Sequence, residues 1–194
     1  MAELKKKTYE VGILALQGDF GLHARSLVRL GIEPMIIKTR DQLSAVKRLI
    51  IPGGETTAMN RLIDLYDLRK PLKEFGKNKP VWGTCAGLIM LSRHSGDPRV
   101  TPLGLIDIDI ARNAYGRQIY SFTKEGKVNL NEKPENLKMV FIRAPKIRRI
   151  GDDVQVLAEL DGEVVMARQG HILVTAFHPE LTESIRIHEY FLKS

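Results

Sequence analysis

The stretch from Lys79 to Leu91 reads KPVWGTCAGLIML and contains the only cysteine of the chain, Cys85. A short apolar run, VWG, precedes this cysteine, and a second apolar run, AGLIML, follows it. The first run is typical of a strand buried on both faces, and the second has the spacing of a helix. The break between them at G-T-C-A-G therefore predicts a sharp strand-to-helix turn with Cys85 at its tip.

Apolar and amphipathic segments alternate along the first half of the chain. Four short, almost continuously apolar segments are typical of strands buried in a parallel sheet: VGILAL (11–16), PMIIK (34–38), RLIIP (48–52) and PVWG (80–83). Three segments have helical spacing: FGLHARSLVRLG (20–31), TTAMNRLIDLYDL (56–68) and AGLIMLSRH (86–94). Gly31 is expected to stop the first helix. This alternation predicts parallel strands connected by helices.

From about residue 104 the pattern changes to strands in succession. They are LIDIDIAR (105–112), RQIYSF (117–122), KMVFIRA (138–144), VQVLAEL (154–160), EVVMARQG (163–170) and ILVTAFH (172–178). The segment TESIRIHEYFLK (182–193) predicts a closing helix. The predicted fold is a three-layer, flavodoxin-like α/β fold in one domain over residues 1–194, with a mainly parallel central sheet, helices on both faces and a small antiparallel extension.

Composition limits the classes of protein to consider. Of the 194 residues, 43% are hydrophobic, which suffices for one buried core, and a single cysteine forms no internal disulfide. The sequence has neither a membrane-span pattern nor a signal-peptide pattern, so we expect a cytoplasmic protein. The net charge of +7 suggests a nucleic-acid partner, but the basic residues form only short runs without interspersed aromatics. We therefore expect neither nucleic acid nor membrane as a partner.

A lone cysteine has two interpretations, a buried structural thiol or a nucleophile. The glycines on both sides of Cys85 favour the nucleophile, because they allow the tight bend that lifts the reactive residue above the sheet in G-x-S-x-G turns. The helix N-terminus that follows is expected to favour the thiolate.

A base for this thiol is suggested by AFHPE at residues 176–180. The apolar strand runs into His178, and Pro179 stops the strand before Glu180. His178 is thus expected at the sheet edge where ligands bind in open α/β folds, with Glu180 holding its imidazole in the tautomer that takes the Cys85 proton. The other histidines lack such a neighbour at a strand end: His23, His94, His171 and His188.

The segment LIIPGGETT at residues 49–57 supplies a third element. The strand ends in Pro52, Gly53 and Gly54, and a helix begins, so unhindered backbone N–H groups can point at a developing oxyanion. No Lys-Ser/Thr pair follows the glycines, which excludes a phosphate loop. An ordinary turn is the alternative.

Taken together, GTCAG, HPE and PGGE resemble the triad-type class I glutamine amidotransferases, which hydrolyse glutamine through a cysteine thioester. Six longer segments are similar to the glutaminase subunits of pyridoxal 5'-phosphate synthase complexes, which serve vitamin B6 biosynthesis: LALQGDFGLH, PGGETTAM, WGTCAGLIML, ARNAYGRQIYSF, VFIRAP and FHPELTES. The similarity extends from about residue 9 to the C-terminus.

The resemblance implies that Cys85 is the nucleophile of a triad completed by His178 and Glu180. It implies a glutamine pocket lined by Gly54, Glu55, Thr56, Arg112, Ile142 and Arg143, and an oxyanion and partner-contact region at Gly53, Gly54, Gln17 and Gly18. It implies no metal and no cofactor. From the residues alone, surface salt bridges are the alternative for the two arginines, and a polar turn is the alternative for Gln17.

The predicted glutaminase fold occupies nearly all 194 residues, so the acceptor of the ammonia is expected on a separate protein. The resemblance implies that this partner is the (β/α)8-barrel synthase subunit, in a complex of twelve barrels that carry up to twelve glutaminases. It implies L-glutamine as the substrate. Three alternatives are a glutaminase for another pathway such as imidazole glycerol phosphate synthesis, a stress-type protein of the same fold, and a basic binding module with an inert Cys85.

Overall fold

The computed structural model describes residues 8–111, 121–130 and 133–194. The strands in these residues are β1 (Tyr9–Leu14), β2 (Met35–Ile37), β3 (Val46–Ile51), β4 (Val81–Thr84), β5 (Ile108–Ala111), β6 (Ser121–Asn129), β7 (Pro134–Ile142), β8 (Lys146–Ile150), β9 (Gln155–Leu160), β10 (Glu163–Gln169) and β11 (Ile172–Thr175). The α-helices are α1 (Phe20–Arg29), α2 (Arg40–Ser44), α3 (Thr56–Leu65), α4 (Arg69–Asn78), α5 (Ala86–Leu91) and α6 (Arg186–Lys193).

One mixed sheet has the strand order β2-β1-β3-β4-β11-β10-β9-β6-β7, and β5 pairs with β8 in a second, two-stranded sheet. The pairs from β2 to β11 are parallel, and the pairs from β11 to β7 are antiparallel. The predicted fold class is confirmed, but the antiparallel part is nearly half of the main sheet. The reason is the short connections, since a tight turn such as Asp161–Gly162 between β9 and β10 permits only antiparallel pairing.

The helices divide between the two faces of the sheet. From β1 the chain moves to β2 in one direction, and from β3 it moves to β4 in the other. Because parallel crossovers are right-handed, α1 lies on one face, whereas the connections that carry α2, α3, α4 and α5 lie on the other. Helix α6 joins α1 through a contact between His188 and His23. Within the described ranges, none of the helices has the length and apolar character needed to cross a membrane.

Several predicted boundaries are wrong. Helix α3 ends at Leu65 because Asp67 adopts a left-handed conformation with φ 52°. Helix α5 ends at Leu91, since Ser92 is extended, and α6 begins only at Arg186. The first helix ends as predicted: Gly31 has φ 75°, and the Ile32 N–H donates to the Leu27 carbonyl oxygen.

The predicted strand RQIYSF (117–122) lies largely outside the described residues, and β6 shares only Ser121 and Phe122 with it. Three further elements were not predicted, namely α2, α4 and β8. Helix α2 has only five residues and depends on a capping box formed by Thr39 and Gln42. Helix α4 is strongly polar and buries little more than Leu72 and Phe75. The short length of α2 and the low share of apolar residues in α4 and β8 therefore hid them from a search for hydrophobic pattern.

The turn between β4 and α5 depends on a close approach of backbones. A side chain at Gly87 would overlap the Ile51 carbonyl oxygen of β3, and one at Gly83 would overlap the backbone of Gly87. Helix α5 therefore lies directly on the strands that precede it, and Cys85 is held above the end of β4.

We expect Gly87→Ala to lower the free energy of unfolding by about 1 to 3 kcal/mol, because the new methyl group meets backbone atoms that cannot rotate away. Gly21→Ala is the matched control: Gly21 also lies in a helix, but a side chain there meets nothing within 4 Å. This control should gain about 0.5 to 1 kcal/mol from helix propensity. Urea denaturation of both variants measures the difference, and equal stability of the two would contradict the close approach.

Candidate active site

The carboxyl ends of four parallel strands meet at one edge of the sheet, and most predicted site residues lie in the loops that follow them. Gln17 and Gly18 follow β1, Gly53 and Gly54 follow β3, Cys85 follows β4, and His178 follows β11. The strand order reverses between β1 and β3. Ligands of open α/β sheets bind at such a switch point, outside the carboxyl ends of the strands.

Cys85 occupies the turn between β4 and α5 in a conformation that non-glycine residues rarely adopt, with φ 48° and ψ −101°. Its N–H donates to the Thr175 carbonyl oxygen at 2.8 Å, which ties the turn to β11. The residue is 8% exposed, and its Sγ lies 3.9 Å from the Ile142 carbonyl oxygen. Strained backbone of this kind persists only where the surrounding structure holds it, and it clusters at active sites.

His178 and Glu180 form a buried pair directly after β11. Nδ1 of His178 lies 2.7 Å from Oε1 of Glu180. The backbone N–H of His178 donates to the Val140 carbonyl oxygen at 2.8 Å. Pro179 begins a short 3₁₀ helix, Pro179–Leu181, that brings the Glu180 side chain back to the histidine. Because a carboxylate only accepts hydrogen bonds, Nδ1 carries a proton and Nε2 is free for a second partner.

The second partner of the His178 ring is Cys85. Burial by itself lowers the pKa of His178, but its hydrogen bonds to Cys85 and Glu180 and the negative charge of the Glu180 carboxylate raise this pKa to about 10. Burial acts to raise the pKa of the Glu180 carboxyl, yet its contacts with His23 and His178 lower it overall. These two shifts together favour a charged His178–Glu180 pair at neutral pH.

Gly53 lies beside both His178 and Cys85. A side chain at Gly53 would overlap the His178 ring and lie 3.5 Å from Cβ of Cys85, so glycine is what allows the imidazole to pack against this loop beside the cysteine. Gly18, with φ 86°, packs so tightly on the loop that a side chain there would overlap the Gly53 carbonyl oxygen. The loop after β1 and the loop after β3 are thus in direct contact.

The side-chain amide of Gln17 supports the loop after β3. Its Nε2 donates to the Glu55 carbonyl oxygen at 3.0 Å, and the Glu55 N–H donates to its Oε1 at 3.0 Å. A side chain at Gly54, where φ is 149°, would overlap this amide. Gln17 is therefore more than a polar turn residue, because it fixes the backbone that follows Gly53 and Gly54.

Glu55 is the N-cap of α3. Its carboxylate accepts hydrogen bonds from the Thr57 N–H at 3.0 Å and from the Ala58 N–H. Thr56 is the first residue of the helix and is partly buried. The cap fixes the direction of the Glu55 side chain at the exposed rim of the loop.

Two further predicted pocket residues, Ile142 and Arg143, lie at the end of β7. Ile142 places its carbonyl oxygen next to the Cys85 sulfur. Arg143 follows it with φ 46° and is exposed. Arg112 lies outside the described residues. The structure thus brings Ile142 to the nucleophile and leaves Arg143 at the surface beside it.

Two histidines that the sequence analysis set aside lie directly behind the triad. Nε2 of His23 lies 3.5 Å from Oε2 of Glu180, and Nδ1 of His23 lies 3.1 Å from Nε2 of His188. His23 lies on a helix and not at a strand end, as the sequence analysis describes it, but the fold brings it next to Glu180. A sequence signal existed, because His23 occupies an inward position of the amphipathic helix α1, between Phe20 and Leu27.

A sheet edge that brings a cysteine on a strand-to-helix turn against a His–Glu pair is the arrangement of the triad-type amidotransferases. The backbone-lined loop around Gly53 suits an amide carbonyl. This class of protein is also the one that the sequence motifs indicate.

Comparisons with known proteins agree. A profile of the SNO glutamine amidotransferase family matches residues 13–194. The pyridoxal 5'-phosphate synthase subunit PdxT of Shouchella clausii is 48% identical over 185 residues, which are 95% of this chain and 94% of that protein. The protein of the same name from Solibacter usitatus is 46% identical over 187 residues, 94% of this chain and 97% of that protein. The chain belongs to the SNO glutamine amidotransferase family.

Solved structures give the same result for the fold. A crystal structure of a glutamine amidotransferase matches with a TM-score of 0.88 and 42% identity, over 94% of this chain and 97% of that one. The structure of PurLQS from Thermotoga maritima matches with a TM-score of 0.74 at 16% identity, over 96% of this chain and 98% of that one. This second likeness concerns the fold alone.

We expect Glu180→Gln to lower the pKa of His178 from about 10, because the substitution removes a negative charge and a strong acceptor while keeping the shape. The titration midpoint should fall by about 1 to 3 pH units. NMR titration of histidine-labelled protein measures it, with the His178 signal assigned from a His178→Asn variant. Glu183→Gln is the control, because Glu183 is a fully exposed carboxylate that pairs with Arg29. An unchanged midpoint in Glu180→Gln would refute the assignment of the pair.

Proposed function

We propose that this glutamine amidotransferase is the glutaminase subunit of a pyridoxal 5'-phosphate synthase. It hydrolyses L-glutamine to L-glutamate and ammonia and delivers the ammonia to a separate synthase subunit for vitamin B6 biosynthesis. The observation that carries the proposal is Cys85 at a strained turn in contact with the buried His178–Glu180 pair. The shared name of relatives that match over nearly their full length supports the pathway and favours it over imidazole glycerol phosphate synthesis.

The proposed reaction begins with attack of the Cys85 sulfur on the amide carbon of glutamine. The imidazolium of His178 gives its proton to the nitrogen, the carbon–nitrogen bond breaks, and ammonia leaves a thioester on Cys85. Water then gives a proton to the neutral His178 and attacks the thioester, so that glutamate leaves and the sulfur regains its original state. Glu180 orients the imidazole and stabilises its positive charge without taking the proton.

The loop around Gly53 and Gly54 is proposed to stabilise the tetrahedral intermediates. Backbone N–H groups act as oxyanion donors, and their position decides how much they contribute, since a donor must lie within hydrogen-bond distance of the developing charge. Gln17 supports this role because its amide holds the adjacent Glu55 backbone at both its N–H and its carbonyl oxygen. Gly18 supports it because it packs on the Gly53 carbonyl.

The glutamine pocket is proposed to include Gly54, Glu55, Thr56, Ile142 and Arg143, and also Arg112. A guanidinium suits the α-carboxylate of the substrate, and the Glu55 carboxylate suits its ammonium group. The exposed position of Arg143 next to Ile142 leaves its side chain accessible to a ligand at the mouth of the site.

The acceptor of the ammonia is proposed to be a (β/α)8-barrel synthase subunit, in an assembly of up to twelve barrels and twelve glutaminases. The relatives support a subunit role, since their names describe them as subunits of a synthase. We propose that residues 1–194 act as one glutaminase domain and that Gln17 and Gly18 belong to the partner contact. Location in the cytoplasm stays a prediction from the sequence.

We expect Cys85→Ala and Cys85→Ser to abolish glutamine hydrolysis with the fold intact, because the chain has a single thiol. His178→Asn should be nearly as damaging, and Glu180→Gln less so, because the histidine transfers the proton and the glutamate only orients it. Losses of about four or more orders of magnitude are typical for the nucleophile or the base of a triad. Glutamate release and mass-spectrometric trapping of the Cys85 thioester measure these effects. Near-normal turnover of a folded Cys85 variant would end the proposal.

We expect the isolated chain to hydrolyse glutamine slowly, and its rate to rise at least about tenfold when the synthase subunit is added. The proposed reason is that docking at Gln17 and Gly18 moves the loop donors into hydrogen-bond distance, and a missing donor costs about 10² to 10³ in turnover. Gln17→Ala should reduce this rise more than it changes the basal rate. Gln155→Ala is the matched control, because Gln155 is an exposed glutamine on β9. Full activity of the isolated chain would exclude gating by the partner.

A further inference from the structure

The two oxygens of the Glu180 carboxylate have different partners. Oε1 bonds His178 at 2.7 Å, whereas Oε2 faces His23 Nε2 at 3.5 Å. Among the described residues, Oε2 completes no hydrogen bond, so the facing Nε2 of His23 is its polar contact on that side. His23 and His188 are 0% exposed, so bulk solvent does not reach this side of the carboxylate. The far side of the carboxylate therefore depends on His23.

We propose that His23, held as its neutral Nε2–H tautomer by His188, is a positioning residue that fixes Glu180 behind His178. The inference rests on the proposed triad and adds to it two residues that do not touch the substrate. It concerns the protons on two buried rings, and the contacts of these rings determine where the protons lie.

One proton lies between Nδ1 of His23 and Nε2 of His188, which are 3.1 Å apart. If this proton were on His23, the bare Nε2 of that ring would face the Glu180 carboxylate, and the lone pair and the anion would repel. The proton of His188 would then lie on its Nδ1, which has no partner among the described residues. A buried N–H without an acceptor is costly, so this arrangement is disfavoured.

With the proton on Nε2 of His188, both problems disappear. The Nε2–H of His23 then lies 3.3 Å from Oγ1 of Thr84, its hydrogen-bond partner, and 3.5 Å from Oε2 of Glu180, where its positive end attracts the carboxylate. On His188, the bare Nδ1 is then an acceptor without a partner among the described residues. This arrangement leaves only a bare acceptor nitrogen on His188, whereas the other leaves an unpaired N–H on His188 and a bare nitrogen of His23 that faces the Glu180 carboxylate.

Both rings stay neutral at physiological pH. Burial lowers the pKa of His23, although the Glu180 carboxylate acts in the opposite direction. Burial lowers the pKa of His188 to about 2. Neutrality matters for the triad, because a cation at His23 would compete with the His178 imidazolium for the single negative charge of Glu180. A neutral N–H donor holds the carboxylate in place and leaves its charge to His178.

Trp82 fixes the two rings in this arrangement. Its indole packs edge-on against His23, with ring centres 5.3 Å apart, and against His188, with ring centres 4.8 Å apart. The indole N–H donates to Oγ1 of Thr175 at 3.2 Å. Because Trp82 lies on β4, three residues before Cys85, the strand that presents the nucleophile also supports the histidines behind the carboxylate.

The first test measures the tautomers directly in the unsubstituted full chain. Nitrogen-15 NMR of histidine-labelled protein at neutral pH should show His23 and His188 both as Nε2–H tautomers. An Nδ1–H tautomer or an imidazolium at His23 would overturn the proposal. His188→Leu should leave His23 without the donor that fixes its tautomer, so that a mixture of tautomers appears. This readout does not depend on glutaminase activity.

The second test compares His23→Leu with His23→Gln. Leucine removes the donor at similar size, whereas the glutamine side-chain amide can place an N–H near the former Nε2. We expect His23→Leu to lower kcat for glutamine hydrolysis, with the synthase subunit present, by about 10- to 100-fold, the range seen when outer partners of a functional group are removed. KM should stay within about twofold, because the residue does not bind substrate. His23→Gln should restore most of kcat. In NMR spectra, the downfield signal of the Nδ1 proton of His178, which reports its hydrogen bond with Glu180, should broaden in His23→Leu and not in His23→Gln.

His171→Leu is the matched control. His171 directly precedes β11 at its amino end, away from the site, and its ring forms a hydrogen bond with the Gly76 carbonyl oxygen. Wild-type kcat in a folded His23→Leu variant would overturn the positioning role. If His23→Leu does not fold, the tautomer measurement and kcat of His23→Gln decide the question. Activity that survives Cys85→Ala would refute the proposed function, whereas an Nδ1–H proton on His23 refutes only this inference.

Discussion

The contact between the backbone of α5 and the ends of β3 and β4 is the constraint on which the site depends. Gly83 and Gly87 carry no side chain, so the helix lies directly on the strands. This contact forces the chain through a tight turn and places Cys85 at a positive φ. The same turn donates a hydrogen bond to β11, the strand that His178 follows. Close packing of main chain, rather than any one side-chain bond, therefore sets the distance between nucleophile and base.

Behind this turn the protein buries a continuous row of polar side chains, which is unusual for the interior of a sheet–helix layer. Cys85, His178, Glu180, His23 and His188 follow one another from the ligand-accessible edge of the sheet to the contact between α1 and α6. Buried polar groups are expensive unless each finds a partner. Only one charge pair lies in this row, and the two rings behind it are neutral, which keeps the desolvation penalty small. The row links the helices on one face of the sheet to the chemistry at its edge.

The site combines rigid and adjustable parts. Cys85 and His178 follow strands buried on both faces, β4 and β11, and are held by hydrogen bonds to neighbouring backbone. The loop after β3 is held differently, by the amide of Gln17 and by packing against Gly18. Catalytic groups on rigid elements keep their geometry, whereas a glycine-rich loop can respond to a partner that docks beside it. This division suits an enzyme whose product is used by another subunit.

The sequence by itself determined the parallel half of the fold, the turn at Cys85 and the family, because each rests on local pattern: apolar runs, glycine spacing and short motifs. It left out α2, α4 and β8, which are short or poor in apolar residues, and it underestimated the antiparallel half of the sheet. Only the tertiary structure revealed the role of Gln17 in holding Glu55 and the place of His23 behind Glu180. His23 and His188 are 165 positions apart in the chain, and no local pattern records a contact over that distance. Such contacts are decided by how helices pack across a sheet, which depends on all layers together.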